Sequence, residues 1–177
     1  LSSKYLASIP YREPAVLWPR TVDKDAIRAD LNGLTYPLHF FDYETCDFAI
    51  PPFDGYHPYQ KITFQVSIYV VDAPGATLRT QDFLMETFAD PALQMIEVLR
   101  KAIGPKGSVV SWNAVFEKGA NETLAAMYPE HAKFLLGINK RMYDLMLIFR
   151  DKVLLEPGFR GKYSLKAVLP VLVPDLS

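Results

Sequence analysis

Residues 39–48 read HFFDYETCDF, an aromatic and apolar run that carries Asp42 and Glu44 two positions apart. In an extended strand the side chains at i and i+2 share a face, so the two acids project together while Phe41 and Tyr43 point the other way. Two carboxylates held in one small volume raise each other's pKa or take a cation between them, and burial in a sheet enlarges both effects. The alternative is an edge strand whose polar face meets water and leaves both acids solvated, the commoner fate of an isolated D-x-E.

Outward from this strand the signals alternate. On its N-terminal side, the first 20 residues hold Pro10, Pro14 and Pro19 among Tyr5, Tyr11 and Trp18, and residues 1–24 read as an irregular lead-in or linker. Within TVDKDAIRADLNGL, Asp23 is placed to cap a short amphipathic helix with Ile27, Leu31 and Leu34 on one face. On the C-terminal side the proline-rich AIPPFDGYHPYQ leads into the β-branched ITFQVSIYVVD. DAPG then turns the chain, and TLRTQDFLM is a third strand, antiparallel because its connection is short. Asp90 and Pro91 open a helix over PALQMIEVLRKAI, and Gly104 ends it. GSVVSWN is a short buried strand, and AVFEKGANETLAAMYP begins another helix. RMYDLMLIF is a further strand or a buried helix, and YSLKAVLPVL is a short helix disturbed by Pro170. This order predicts an α/β fold, a mixed sheet of about five strands flanked by helices.

Half of the 177 residues are hydrophobic, enough for one domain with its own core, here residues 25–177. The single cysteine, Cys46, excludes an internal disulfide and fits a reducing, cytoplasmic compartment. No apolar run approaches the ~20 residues of a membrane span, and no signal-peptide pattern occurs. A formal net charge of −1 excludes a strongly basic nucleic-acid coat but allows a local cationic groove. The chain starts at Leu1 and stops after VLVPDLS, which reads as part of a larger polypeptide, truncated at its C-terminal end.

The second informative stretch is SVVSWNAVFEKGANETL, where a strand ends at Asn113 and Glu117 follows one helical turn later. A carboxylate on a helix's first turn, at the carboxyl end of a strand, faces the crevice where α/β proteins bind ligands. D-x-E on the first strand and N-x-x-F-[D/E] after a later one resemble the first two motifs of the DEDD (DnaQ-like) 3′→5′ exonucleases, which have a ribonuclease H-like fold. The resemblance implies that Asp42, Glu44 and Glu117 are the catalytic acids and hold two divalent metals, with Asn113 as companion to Glu117. YPLHFFDYET, PYQKITFQVSIYV, SWNAVFEKGANETLA, INKRMYDLMLIF and GKYSLKAVLPVLVPDLS resemble, in that order, a bacterial domain of unknown function grouped with these exonucleases, from about residue 25 to the end. Two departures stand out. Glutamate replaces the usual aspartate of the second motif, and the fourth acid is expected on a helix after YSLKAVL, past the end of this chain.

Asp144, in RMYDLML, is a further candidate metal ligand, although an acid in this segment of the superfamily commonly braces the next element. Trp112, Asn113, Tyr43 and Gln60 are the candidate substrate contacts. Phe48, Phe53, Tyr56 and Trp112 are aromatics that either stack on unpaired bases or pack. Asp47, Asp54 and Asp151 read as solvated or turn residues, His57 as a surface residue, Gln65 as packed, and Cys46 as a small packed side chain. The implied activity is a metal-dependent nuclease acting on single-stranded DNA or RNA. Two ions about 4 Å apart are expected, and all-oxygen ligands suit Mg²⁺ or Mn²⁺ rather than zinc. For such a site the three acids should converge within ~4 to 6 Å. The alternatives are an inactive nuclease-like module used for nucleic-acid binding or scaffolding, and an unrelated α/β enzyme with an accidental D-x-E.

Overall fold

A computed structural model describes residues 19–151 and 153–176; the lead-in aromatics Tyr5, Tyr11 and Trp18 lie outside the described residues. The chain enters through β1 (Thr21–Val22) and α1 (Lys24–Asn32), where the Asp23 carboxylate accepts the Ala26 N–H at 2.9 Å as the N-cap. Next come β2 (Leu38–Cys46), β3 (Ile62–Val71) and β4 (Arg79–Leu84), with β3 antiparallel to β2 and β4 antiparallel to β3. Helix α2 (Ala92–Ala102) returns the chain to β5 (Ser108–Ser111), which pairs in parallel with the other flank of β2. Helices α3 (Ala114–Met127) and α4 (Pro129–Lys140) precede β6 (Met142–Asp144), parallel to β5. The chain closes with α5 (Leu147–Arg150), β7 (Leu154–Leu155), a 3-10 turn at Pro157–Phe159, α6 (Leu165–Leu172) and a second 3-10 turn at Pro174–Leu176. The sheet is the mixed, five-stranded one expected, in the order β4-β3-β2-β5-β6.

Two elements differ from the sequence reading. RMYDLMLIF is neither one strand nor one helix: β6 ends at Asp144 and α5 begins at Leu147. Helix α4 was not separated from α3, although Pro129 at its first turn marks the break. In addition, β1 and β7 form a two-residue ladder that ties Thr21–Val22 to Leu154–Leu155.

Strand alternation builds the core. Phe41 and Tyr43 lie opposite Ile68 and Val66, and all four are buried. Onto this face α2 brings Ala92, Met95, Ile96 and Leu99, spaced i, i+3, i+4 and i+7, while α3 adds Leu124 and α4 adds Leu135 and Ile138. Each large apolar side chain so buried contributes about 1.5–3 kcal/mol. The other face carries Phe40, Asp42 and Glu44 opposite Tyr69, Ser67 and Gln65. It is only partly roofed, by Leu31 and Leu34 near α1 and by Leu165 of α6.

One glycine fixes the junction between the two halves of the sheet. Gly107 has φ 87°, and a Cβ there would stand 2.0 Å from the Pro37 carbonyl oxygen. The chain entering β5 therefore lies against the chain entering β2, and Ser108 N–H donates to Thr35 O at 2.8 Å. Among the described residues no helix is long and apolar enough to cross a membrane.

Candidate functional site

Three parallel strands, β2, β5 and β6, run in one direction, and their carboxyl ends share one edge of the molecule. The pairing of β2 with β5 covers only Leu38–Phe40 against Ser108–Val110, so β2 runs on past its neighbour and Asp42 and Glu44 sit on the overhang. Strand order also reverses here, since β3 and β4 add to one side of β2 and β5 to the other. Such a switch point leaves a crevice at the strands' carboxyl ends, the usual ligand site of an open α/β sheet. A cleft of about 440 Å³ occupies it, with Asp42, Ser67, Ser111, Trp112 and Leu165 among its walls.

Asp42 and Glu44 are both exposed and share a face, with Phe41 and Tyr43 buried on the other, as strand alternation requires. Burial, and then the Glu44 carboxylate, raises the pKa of Asp42. Glu117 differs, being 2% exposed on the first turn of α3. Burial pushes its pKa up to about 7, with the Asp42 and Asp144 carboxylates adding to the rise, while its own backbone N–H and the Ser111 hydroxyl oppose it. Ser111 Oγ donates to Glu117 Oε2 at 3.1 Å. Asp144 ends β6, and its Oδ1 accepts the backbone N–H of Asn113 at 2.9 Å and of Met146 at 3.0 Å. One carboxylate thus holds the left-handed Asn113 (φ 69°) before α3 and the start of α5.

The structure therefore brings the Asp42 and Asp144 carboxylates within electrostatic reach of Glu117, with Glu44 beside Asp42. It does not assemble the expected tight triad. Among the described residues no three His, Cys, Asp or Glu side chains stand close enough to hold one ion. The physical reason is visible in the bonding: Glu117 is drawn inward to Ser111, whereas Asp42 and Glu44 are exposed to solvent, and like charges repel. The donor set still fits a hard cation. It consists of carboxylate oxygens, and Mg²⁺ is commonly held by only one or two carboxylates, with water and substrate phosphate completing its shell.

Of the expected substrate contacts, Trp112 lines the cleft. It stacks on Phe149 at 5.0 Å, and its indole N–H is buried without an acceptor. Asn113 is exposed at the cleft end of β5. Tyr43 is a correction: it is 3% exposed on the core face, and its hydroxyl donates to Asn121 Oδ1 at 2.8 Å. Gln60 is another, since its amide is spent within the protein, accepting His57 N–H at 2.9 Å and donating to Met127 Sδ at 3.1 Å. Phe53 and Tyr56 pack with each other, Phe53 also on Phe88, and the Tyr56 hydroxyl bonds Asp90.

Two contributors escaped the sequence reading. Ser111, which donates to Glu117, is a strand residue that no motif or spacing marks. Asn121 is fully buried and extends the Tyr43 contact to Asn139, whose amide in turn donates to Lys118 O. This chain ties β2, α3 and α4 directly behind the acids. The available signal was spacing: Asn121 is four residues after Glu117, on the same helix face.

A family model described as a domain of unknown function (DUF2779) matches residues 39–164. Its span takes in β2 from its second residue through β6, and with them Asp42, Glu44, Glu117 and Asp144. No curated protein and no solved structure matches the chain.

Proposed function

The chain belongs to the domain-of-unknown-function family DUF2779, and from that shared core we propose that its carboxylate cleft is the centre of a metal-dependent nuclease. The substrate is single-stranded DNA or RNA, and the mode is the 3′→5′ exonucleolytic one implied by the resemblance to DEDD enzymes of ribonuclease H-like fold. One observation carries the reading: Glu117 is buried beside Asp42 and Asp144, with no cation bonded to it, at the switch point of the sheet. A buried acid whose strongest charged neighbours are other acids is poorly placed for stability alone and well placed to receive a divalent ion.

On this reading Asp42 and Glu44 present their oxygens from the exposed overhang of β2, and Glu117 supplies an inner ligand. Bound there, Mg²⁺ or Mn²⁺ supplies a water that is nucleophilic near neutral pH and offsets charge on the leaving oxygen. With its pKa pushed up to about 7, Glu117 holds its proton below neutrality and gives it up more readily when positive charge arrives, and the Ser111 hydroxyl donates to its Oε2. Trp112, whose ring forms part of the cleft wall, and the exposed Asn113 are the residues assigned to substrate contact on this reading.

A second reading, a nuclease-like module that binds nucleic acid without cutting it, is favoured by the absence of a three-ligand cluster among the described residues. One assay separates the two. End-labelled single-stranded DNA and RNA are incubated with Mg²⁺ or Mn²⁺, with EDTA as control, using the wild type, Asp42→Asn and Glu117→Gln. Shortening that needs metal and is lost in both variants is the expected result. Equal shortening by the wild type and Asp42→Asn would place the cleavage elsewhere, and metal-independent binding without cleavage would favour the second reading.

A further inference from the structure

The cations of this chain are spent unevenly. Arg20, Arg28, Arg79 and Arg150 are in ion pairs, Arg141 donates to four backbone carbonyls, and Arg100 bonds His131. Among the described arginines only Arg160 has a side chain with no hydrogen bond or ion pair. It opens a stretch, RGKYSLK, in which Lys162 and Lys166 are likewise exposed and unpaired, and no acidic residue occurs from position 157 to 174. Three unneutralised positive charges therefore stand within seven residues of a protein whose formal net charge is −1.

Their location gives the charge a use. Phe159, next to Arg160, packs edge-on against Phe149 at 5.9 Å, and Phe149 stacks on Trp112 of the cleft wall. Leu165, between Lys162 and Lys166, lines the same cleft as Asp42 and Ser111. Arg150 lies in electrostatic reach of both Asp144 and Tyr163. The cationic stretch thus borders the acidic one. Within α6 the charge is also misplaced for the helix itself: Lys166 falls in a first turn that has no acid, where the helix dipole favours negative charge. Among the described residues no acid pairs with Lys166 to offset that arrangement.

We propose that Arg160, Lys162 and Lys166 form a track for the phosphate backbone of a single-stranded nucleic acid entering the carboxylate cleft. The inference rests on the nuclease reading for its substrate but assigns binding to residues outside the acids. A flexible polyanion meeting three fixed cations releases counterions, so its affinity depends steeply on salt. Exposed Tyr163, in the middle of the track, offers a ring on which a base can stack.

The test is fluorescence anisotropy with fluorescein-labelled oligo(dT) and oligo(U), in EDTA so that metal plays no part, across a range of NaCl concentrations. Three proteins are compared: the wild type, Arg160→Ala/Lys162→Ala/Lys166→Ala, and a control, Lys101→Ala/Lys133→Ala/Lys140→Ala, which removes exposed lysines from α2 and α4. The track variant should bind at least ~10-fold more weakly at low salt, and its log–log salt slope should fall by about 2, from about 0.7 per lost phosphate contact. The control variant should match the wild type. Equal slopes for the wild type and the track variant overturn the track while leaving metal-dependent cleavage untouched. Failure of the wild type to bind either oligonucleotide also overturns it, and binding only to anionic vesicles would assign the charge to a lipid surface. Conversely, a track confirmed in EDTA alongside absent cleavage would sink the catalytic reading alone.

Discussion

Glu117 shows what a single residue can store. Its pKa of about 7 in the folded protein lies above the ordinary 4.5. Between those values the unfolded chain has lost the proton that the folded chain retains, so stability falls as pH rises through the interval. At about 1.4 kcal/mol per unit, the wild type should lose about 3 kcal/mol from this group between pH 4.5 and pH 8. Glu117→Gln should lack that slope, which denaturant unfolding at several pH values would read. An equally steep decline in the variant would mean that another group carries the dependence. The sequence made the pair on β2 legible because a period of two leaves no freedom: Asp42 and Glu44 had to share a face. It could not reveal the burial of Glu117, because a helix residue's depth depends on which neighbours roof it, and here Ser111 and the Tyr43–Asn121 contact draw α3 inward.

At the scale of elements, Asp144 binds three together, since one oxygen serves the entry to α3 and the start of α5 from the end of β6. Asp144→Ala leaves two backbone N–H groups without their acceptor and should cost about 1–3 kcal/mol. If Asp144 is a brace, Mn²⁺ should still raise the melting temperature of the variant by as much as that of the wild type; loss of that rise would make it a ligand. Elements with one strong signal were readable: Asp23 before α1, the β-branched run of β3, and the i, i+3, i+4 spacing in α2. RMYDLMLIF was not, because its apolar residues fit both periods. The switch at Asp144 is set by backbone bonds between segments about thirty residues apart, and no local pattern records them.

For the molecule as a whole, the decisive quantity is whether the acids gain more from a cation than they lose by being gathered. At pH 8, Mn²⁺ at about 100 times its Kd should add about 2.7 kcal/mol of stability. That corresponds to a rise of roughly 5 to 10 °C in Tm for a chain of this size. The rise should shrink toward pH 5, where Glu117 must give up a proton to bind, and vanish in Asp42→Asn; differential scanning calorimetry measures all three. The short register that joins β2 to β5 has a separate, kinetic consequence. Leu38–Phe40 meet Ser108–Val110 across roughly seventy intervening residues, whereas β2, β3 and β4 close through local turns. Long-range closure is entropically slow compared with hairpin formation. A chain emerging from the ribosome can complete its antiparallel ribbon well before Glu117 and the Arg160 stretch have anything to dock against, so the cleft is the last part of the molecule to come into existence.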